Sequence, residues 1–203
     1  MKILLDPGHG IPHTGATGRV LGIKEHITTL RVTHVLKSWL EARLPAPENA
    51  IYLTRLNDAC LITRRDDRAG DLMARGVMAG RIGANLLLSI HCNASTDPRA
   101  NGYECFTLPG QDQSDVLADE LLRSYGRAFP HLRLRADRRD GDLDKEMDLR
   151  VLKTAPPHLP KVLFELAFLS NAAEEAWLGN SANYPAIAAA LGEGIMSWIR
   201  YQR

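Results

Sequence analysis

The sequence predicts one α/β domain spanning residues 1–203, a sheet with helices on both faces. Two observations lead to it. Short apolar runs of strand length alternate with longer stretches of helical periodicity. No linker, repeat or low-complexity segment divides the chain, and 203 residues are enough for one core to be stable without disulfides or metal staples.

The elements follow in order. Met1 to Leu5 is an apolar run that enters Asp6-Pro7-Gly8-His9-Gly10, a strand leading into a loop rich in Gly, Thr and Pro. Ile23, Ile27, Leu30, Val35, Leu36, Trp39 and Leu40 recur mostly at helical spacing, so Ile23 to Leu44 is expected as a helix. Pro45 and Pro47 end it. Ala50 to Thr54 is a second strand, and Thr63 to Ile82 a helix weakened by Gly70, Gly76 and Gly80. Leu86 to Ile90 is a buried strand. Gly102 to Leu108 is another strand, and Val116, Leu117, Leu121, Leu122 and Tyr125 mark a helix. His131 to Asp148 is charged and irregular, a surface excursion. Lys161 to Phe168 is a buried strand, and Ile187, Leu191, Ile195 and Trp198 place an apolar stripe on a last helix.

Composition is that of an ordinary globular protein, 45% apolar and 24% charged, with a net charge of +1. Such a balance leaves no electrostatic footprint for nucleic acid and no basic patch for a membrane surface. Three cysteines, Cys60, Cys92 and Cys105, read as reduced buried thiols; Cys92 with Cys105 is the one pairing worth considering. The apolar stretch after Lys2 is too short for a signal peptide. The expectation is therefore synthesis in the cytoplasm without an address. No run reaches transmembrane length.

Four residues stand out by position. His9 ends the first strand, Glu25 opens the first long helix, His91 ends the Leu86–Ile90 strand, and Glu165 interrupts the apolar Val162-Leu163-Phe164-Glu165-Leu166. Strand ends of an α/β sheet are where ligand sites gather. Two imidazoles and a carboxylate make a zinc set with a fourth position open to water, and a further carboxylate can carry protons beside it. Each has a plainer reading. His9 and His91 could satisfy backbone groups, and Glu25 could simply favour a helix N-terminus. Glu165 resists such a reading most, because a carboxylate in an apolar strand is costly unless paired or working. Other templates fail: there is no H-E-x-x-H, no G-x-S-x-G and no P-loop, and His13 stands where a dinucleotide fingerprint after Gly8 and Gly10 needs glycine.

Taken in order, the motifs resemble one family. Ile3 to Gly10, Gly15-Ala16 and Glu25 resemble the opening of the zinc-dependent N-acetylmuramoyl-L-alanine amidases. Thr54-Arg55 with Asp58, Leu72 with Arg75, Ser89-Ile90-His91-Cys92-Asn93-Ala94, Gly102-Tyr103-Glu104 and Leu163 to Asn171 match later blocks. Gly80 and Asn85 depart from it, standing where the family usually has Asn and Asp. The resemblance implies a twisted, mostly parallel sheet and one zinc ion held by His9, Glu25 and His91. It makes Glu165 the catalytic glutamate and the muramic acid–L-alanine amide of peptidoglycan the bond cut. The loops after the site residues, with Asn93 and Asn171, are the expected substrate walls. Some members carry a helix that plugs the site until a partner removes it. His131 to Asp148 is the only room for one here, and its charge leaves no apolar stripe, so a monomer active without an activator is expected. A leaderless wall hydrolase with no wall-binding module resembles a phage or prophage lysis enzyme, and a host enzyme shortened by its signal is the rival reading. The competing readings are a zinc peptidase acting within the stem peptide and a non-catalytic peptidoglycan-binding protein.

Overall fold

The computed structural model describes residues 1–139 and 141–202. Its centre is a six-stranded sheet: β1 (Lys2–Pro7), β2 (Ala50–Leu53), β3 (Leu86–Asn93), β4 (Glu104–Thr107), β5 (Lys145–Glu146) and β6 (Lys161–Phe168). The order is β2-β1-β3-β6-β4-β5. All neighbours run parallel except β4, which is antiparallel to β6. The runs Ile3-Leu4-Leu5 and Leu86-Leu87-Leu88 do not alternate because both faces of a central parallel strand are covered. Ile3, Leu5, Leu86, Leu88 and Ile90 face a core shared with α1 (Glu25–Glu41), α3 (Gln113–Ala128) and α6 (Tyr184–Tyr201). Leu4 and Leu87 face the opposite side, toward Ala79 of α2 (Arg68–Ile82), and Leu163 meets Val151 and Leu152 of α4 (Arg150–Lys153).

Helix ends explain most differences from the sequence reading. α2 begins five residues later than expected because the Asp67 side chain accepts from the Gly70 amide and caps it. It stops where Gly83, at φ 63°, turns its N–H back to Ala79 and Gly80. α4 and α5 (Ala172–Gly179) are too short for periodicity to reveal. The excursion from His131 is irregular as expected but not merely superficial. Leu132 is buried in the main core, Leu134 bridges Tyr103, and β5 adds an edge strand to β4. The two departures from the family pattern are structural. Gly80 lies under Pro156, where a side-chain carbon would be 3.2 Å away, and Asn85 accepts the Lys2 amide at 2.8 Å. All three cysteines are buried free thiols.

β1 connects through α1 to β2 on one side, and β2 connects through α2 to β3 on the other. The chain therefore switches direction between β1 and β3. A crevice opens outside the carboxyl ends of such strands, and a ligand site is expected there.

Candidate metal centre

His9, Glu25 and His91 meet at that switch point. Oε1 of Glu25 lies 3.2 Å from His9 Nε2 and 3.1 Å from His91 Nδ1. The two imidazoles stand edge to face, 4.9 Å between centroids. Three elements deliver them: the turn after β1, the first residue of α1, and β3. A tetrahedral ion with bonds of about 2.0–2.1 Å separates its ligand atoms by roughly 3.4 Å, so the set fits zinc. His9 Nδ1 faces the His13 carbonyl at 3.2 Å, which fixes the tautomer that leaves Nε2 free as a donor atom. Glu25 accepts from the Cys92 and Ala16 amides at 3.0 and 2.7 Å. Burial alone would raise its carboxyl; the hydrogen bonds with His9 and His91 outweigh burial and hold it well below the ordinary range. Burial in turn lowers His91, favouring the neutral ring that a metal needs.

Room for these side chains comes from glycine. A Cβ on Gly8 would lie 2.4 Å from the His91 ring, and one on Gly15 would lie 2.3 Å from Glu25 Oε2. His9 itself has φ 64°, a left-handed conformation that costs a non-glycine residue on the order of 1–3 kcal/mol. Two buried arginines hold the turn. Arg75 donates to the carbonyls of Pro7 (2.8 Å) and His9 (2.7 Å), and Arg55 to those of Pro7 and Gly8, each at 2.9 Å. Arg75 is paired with Asp6 and Asp71, both at 2.8 Å. Burial lowers Arg55, with help from Arg75, to about 10.

Glu165 sits on β6 opposite His91 in the parallel register and opposite Glu104 of β4. Its Oε2 is buried with no hydrogen-bond partner among the described residues. Burial, then the carboxylates of Glu25 and Glu104, raises it well above the usual value. A cavity of about 240 Å³ joins His9, His91 and Glu165. Its far wall is Arg68 and Leu72 of α2 with Leu149, Arg150 and Val151, rather than the loops after β3 and β6. The loop after β1 does contribute, through His13.

Asn93 and Asn171 do not line the cavity. Asn93 donates to Glu104 and accepts the Ala94 amide. Asn171 caps α5, accepting from Ala173 and Glu174, and donates to the Pro98 carbonyl. The nearby His26 bonds the Thr14 carbonyl outside the ligand group.

The chain matches the N-acetylmuramoyl-L-alanine amidase family over residues 3–197. It belongs to that family. The N-acetylmuramoyl-L-alanine amidase AmiA of Escherichia coli is 30% identical over 98% of this chain and 76% of its own length. The endolysin of Bacillus phage SPP1 is 28% identical over 95% of this chain and 64% of its own. The fold is shared with the CwlD amidase of Clostridioides difficile, solved in complex with the GerS lipoprotein, at a TM-score of 0.86, 25% identity and 98% coverage of both chains. The expected amide hydrolase and its twisted α/β sheet are thus those of the amidase family.

Proposed function

We propose that this amidase is a zinc enzyme in which His9, Glu25 and His91 hold the metal, Glu165 moves the protons, and the muramic acid–L-alanine amide of peptidoglycan is cut. The observation that carries the reading is the side-by-side placement of two unlike groups. Three donor atoms stand at ligand spacing, and an unpartnered buried carboxylate opens into the same cavity. Zinc in this set supplies Lewis-acid polarisation of the amide carbonyl and a lowered pKa for water.

Glu165 takes a proton from the attacking water as its oxygen bonds the lactyl carbonyl carbon. It then gives that proton to the alanine nitrogen as the C–N bond breaks, leaving a free amine and a lactyl carboxyl group, which ionises by passing its own proton to the amine. Its Oε2 has no hydrogen-bond partner among the described residues, which leaves it free to take up the proton and return it. Glu25 serves as a ligand instead, because its hydrogen bonds keep it ionised. The groove wall supports an anionic, peptide-bearing substrate: Arg68 and Arg150 supply positive charge, and Leu72 and Leu149 supply apolar surface.

The same reading has the protein act alone. The excursion from residue 131 packs against β4 and α3, none of the described residues from 131 to 148 lines the cavity, and the His9 side chain keeps 15% of its surface accessible.

Glu165→Gln is the test. It should fold, keep zinc and lose roughly a hundred- to ten-thousand-fold in turnover. Digests by the wild type should contain free N-terminal L-alanine and no new reducing ends. Shortened stem peptides still attached to muramic acid would make the enzyme a peptidase instead.

A further inference from the structure

At the β5 edge of the sheet, a second group of ligand atoms comes together. One carboxylate oxygen from each of Asp115, Asp142 and Asp144 lies within 4.8 Å of the other two. Asp115 sits in the first turn of α3, and the other two precede β5. Asp144 is 2% exposed, and its Oδ1 has no hydrogen-bond partner among the described residues; the same holds for Oδ1 of half-buried Asp142. Burying a carboxylate oxygen with nothing to donate to it is costly, and three facing carboxylates add repulsion to that cost.

The nearby donors do not relieve it. Thr107 gives its one hydroxyl proton to Asp144 Oδ2 at 2.5 Å, and Gln111 donates to Asp142 Oδ2 at 2.8 Å. Arg123, which lines the same cavity, is paired with Asp119, and Lys145, next in the chain to Asp144, is paired with Glu104. A cavity of about 260 Å³, lined in part by Gln111, Asp115 and Asp142, gives the group access to solvent.

We propose that Asp115, Asp142 and Asp144 bind a calcium ion. Calcium takes oxygen ligands at about 2.3–2.6 Å, so any two of its ligands are at most about 5 Å apart, and the group meets that limit. No histidine or cysteine belongs to the group, which separates it from the zinc set at His9, Glu25 and His91. Water completes the shell. Magnesium demands stricter octahedral geometry and gives up its water reluctantly, so it binds more weakly here.

The ion would tie the start of α3 to the segment that becomes β5. β5 leads within a few residues to Leu149 and Arg150 of the catalytic cavity wall, and Lys145 of β5 reaches Glu104 beside Glu165. Calcium therefore steadies that wall from a distance and takes no part in bond cleavage.

The test is calorimetric titration of the zinc-loaded chain with calcium chloride, with thermal unfolding as a second readout. One calcium should bind per chain, raise the unfolding temperature and leave the zinc content unchanged. Asp142→Asn, at a half-buried position that tolerates the isosteric change, should weaken calcium at least tenfold. Asp144→Asn should do the same and, without calcium, be no less stable than the wild type. No heat and no thermal shift at several millimolar calcium would overturn the proposal, as would calcium affinity unchanged in both variants. None of these readouts depends on amidase activity, so failure of the catalytic reading would leave the result intact.

Discussion

Replacing Arg75 by methionine removes the group on which the His9 turn is built. The guanidinium is 1% exposed and makes four contacts at 2.7–2.8 Å, to Asp71, Asp6 and the carbonyls of Pro7 and His9. Removing one partner of a buried pair costs about 3–5 kcal/mol, because the other charge stays buried and uncompensated. Here the loss is not doubled by the second pair. Asp6 keeps hydrogen bonds from Thr54 and Ser89, and Asp71 keeps that of the Ile62 amide. About 3–5 kcal/mol is a large part of the stability of an ordinary domain, so Arg75→Met should fold with a much lower urea midpoint. It should also bind zinc about 10–100-fold more weakly, since the left-handed His9 loses a bond that sets its backbone.

The deficit has a pH signature. Burial alone would raise the Asp6 carboxyl, but Arg75, Ser89 and Thr54 outweigh it and hold it below the ordinary value. In the wild type, its contribution is present above the unfolded pKa of about 3.8 and is lost as pH falls through the lowered folded value. Without Arg75, burial wins, the folded pKa rises above 3.8, and the buried charge weighs on the variant at neutral pH. The gap between the two proteins should therefore be full at pH 7 and narrow as pH falls toward about 4. Urea unfolding across that range, with zinc affinity measured by competition, tests both parts. An Arg75→Met protein within about 1 kcal/mol of the wild type at pH 7, with unchanged zinc affinity, would refute the reasoning.

Further expectations concern the ligand set and its glycines. His9→Ala and His91→Ala should each purify without stoichiometric zinc, whereas His13→Ala and His26→Ala should retain it, as metal analysis would show. Gly15 and Gly22 have almost the same φ, 71° and 70°, but Gly22 has nothing within 4 Å of an added Cβ. Gly22→Ala should cost about 1 kcal/mol and keep the metal; Gly15→Ala should lose metal binding outright, and equal behaviour of the two would show that space at Glu25 does not matter. Purified protein alone should digest peptidoglycan, and a requirement for a second protein would show that the excursion from residue 131 covers the site in solution.

The sheet was legible because its central strands carry unbroken apolar runs, and a fully buried parallel strand needs nothing subtler. β5 was not: two residues in a charged segment become a strand only because β4 offers them an edge. The short helices were hidden for a similar reason, although one left a signal that the reading passed over. Asn171 followed three residues later by Glu174 marks a helix start. Reading it so would have removed Asn171 from the substrate-binding candidates, since a cap spends the side-chain carbonyl that a substrate would need.

The four residues proposed to carry the chemistry stood out because each breaks a local pattern. Their supports Gly15, Arg55 and Arg75 were marked only by the family resemblance, which gave them no role, because each fits its local pattern. Arg75 looks like any basic residue on a weakly amphipathic helix, and only the fold turns it inward under the His9 turn. Arg55 after a strand and Gly15 in a loop are equally unremarkable alone. The distinction is physical. A ligand must offer a free atom to the solvent side and so disturbs its surroundings in sequence, whereas a supporting group is fully satisfied by distant parts of the chain. Arg75 contacts residues 66 to 69 positions away through Asp6, Pro7 and His9. Such partners become neighbours only when β1 and α2 pack, so the frame that holds a site is read from the fold even where the site itself is read from the sequence.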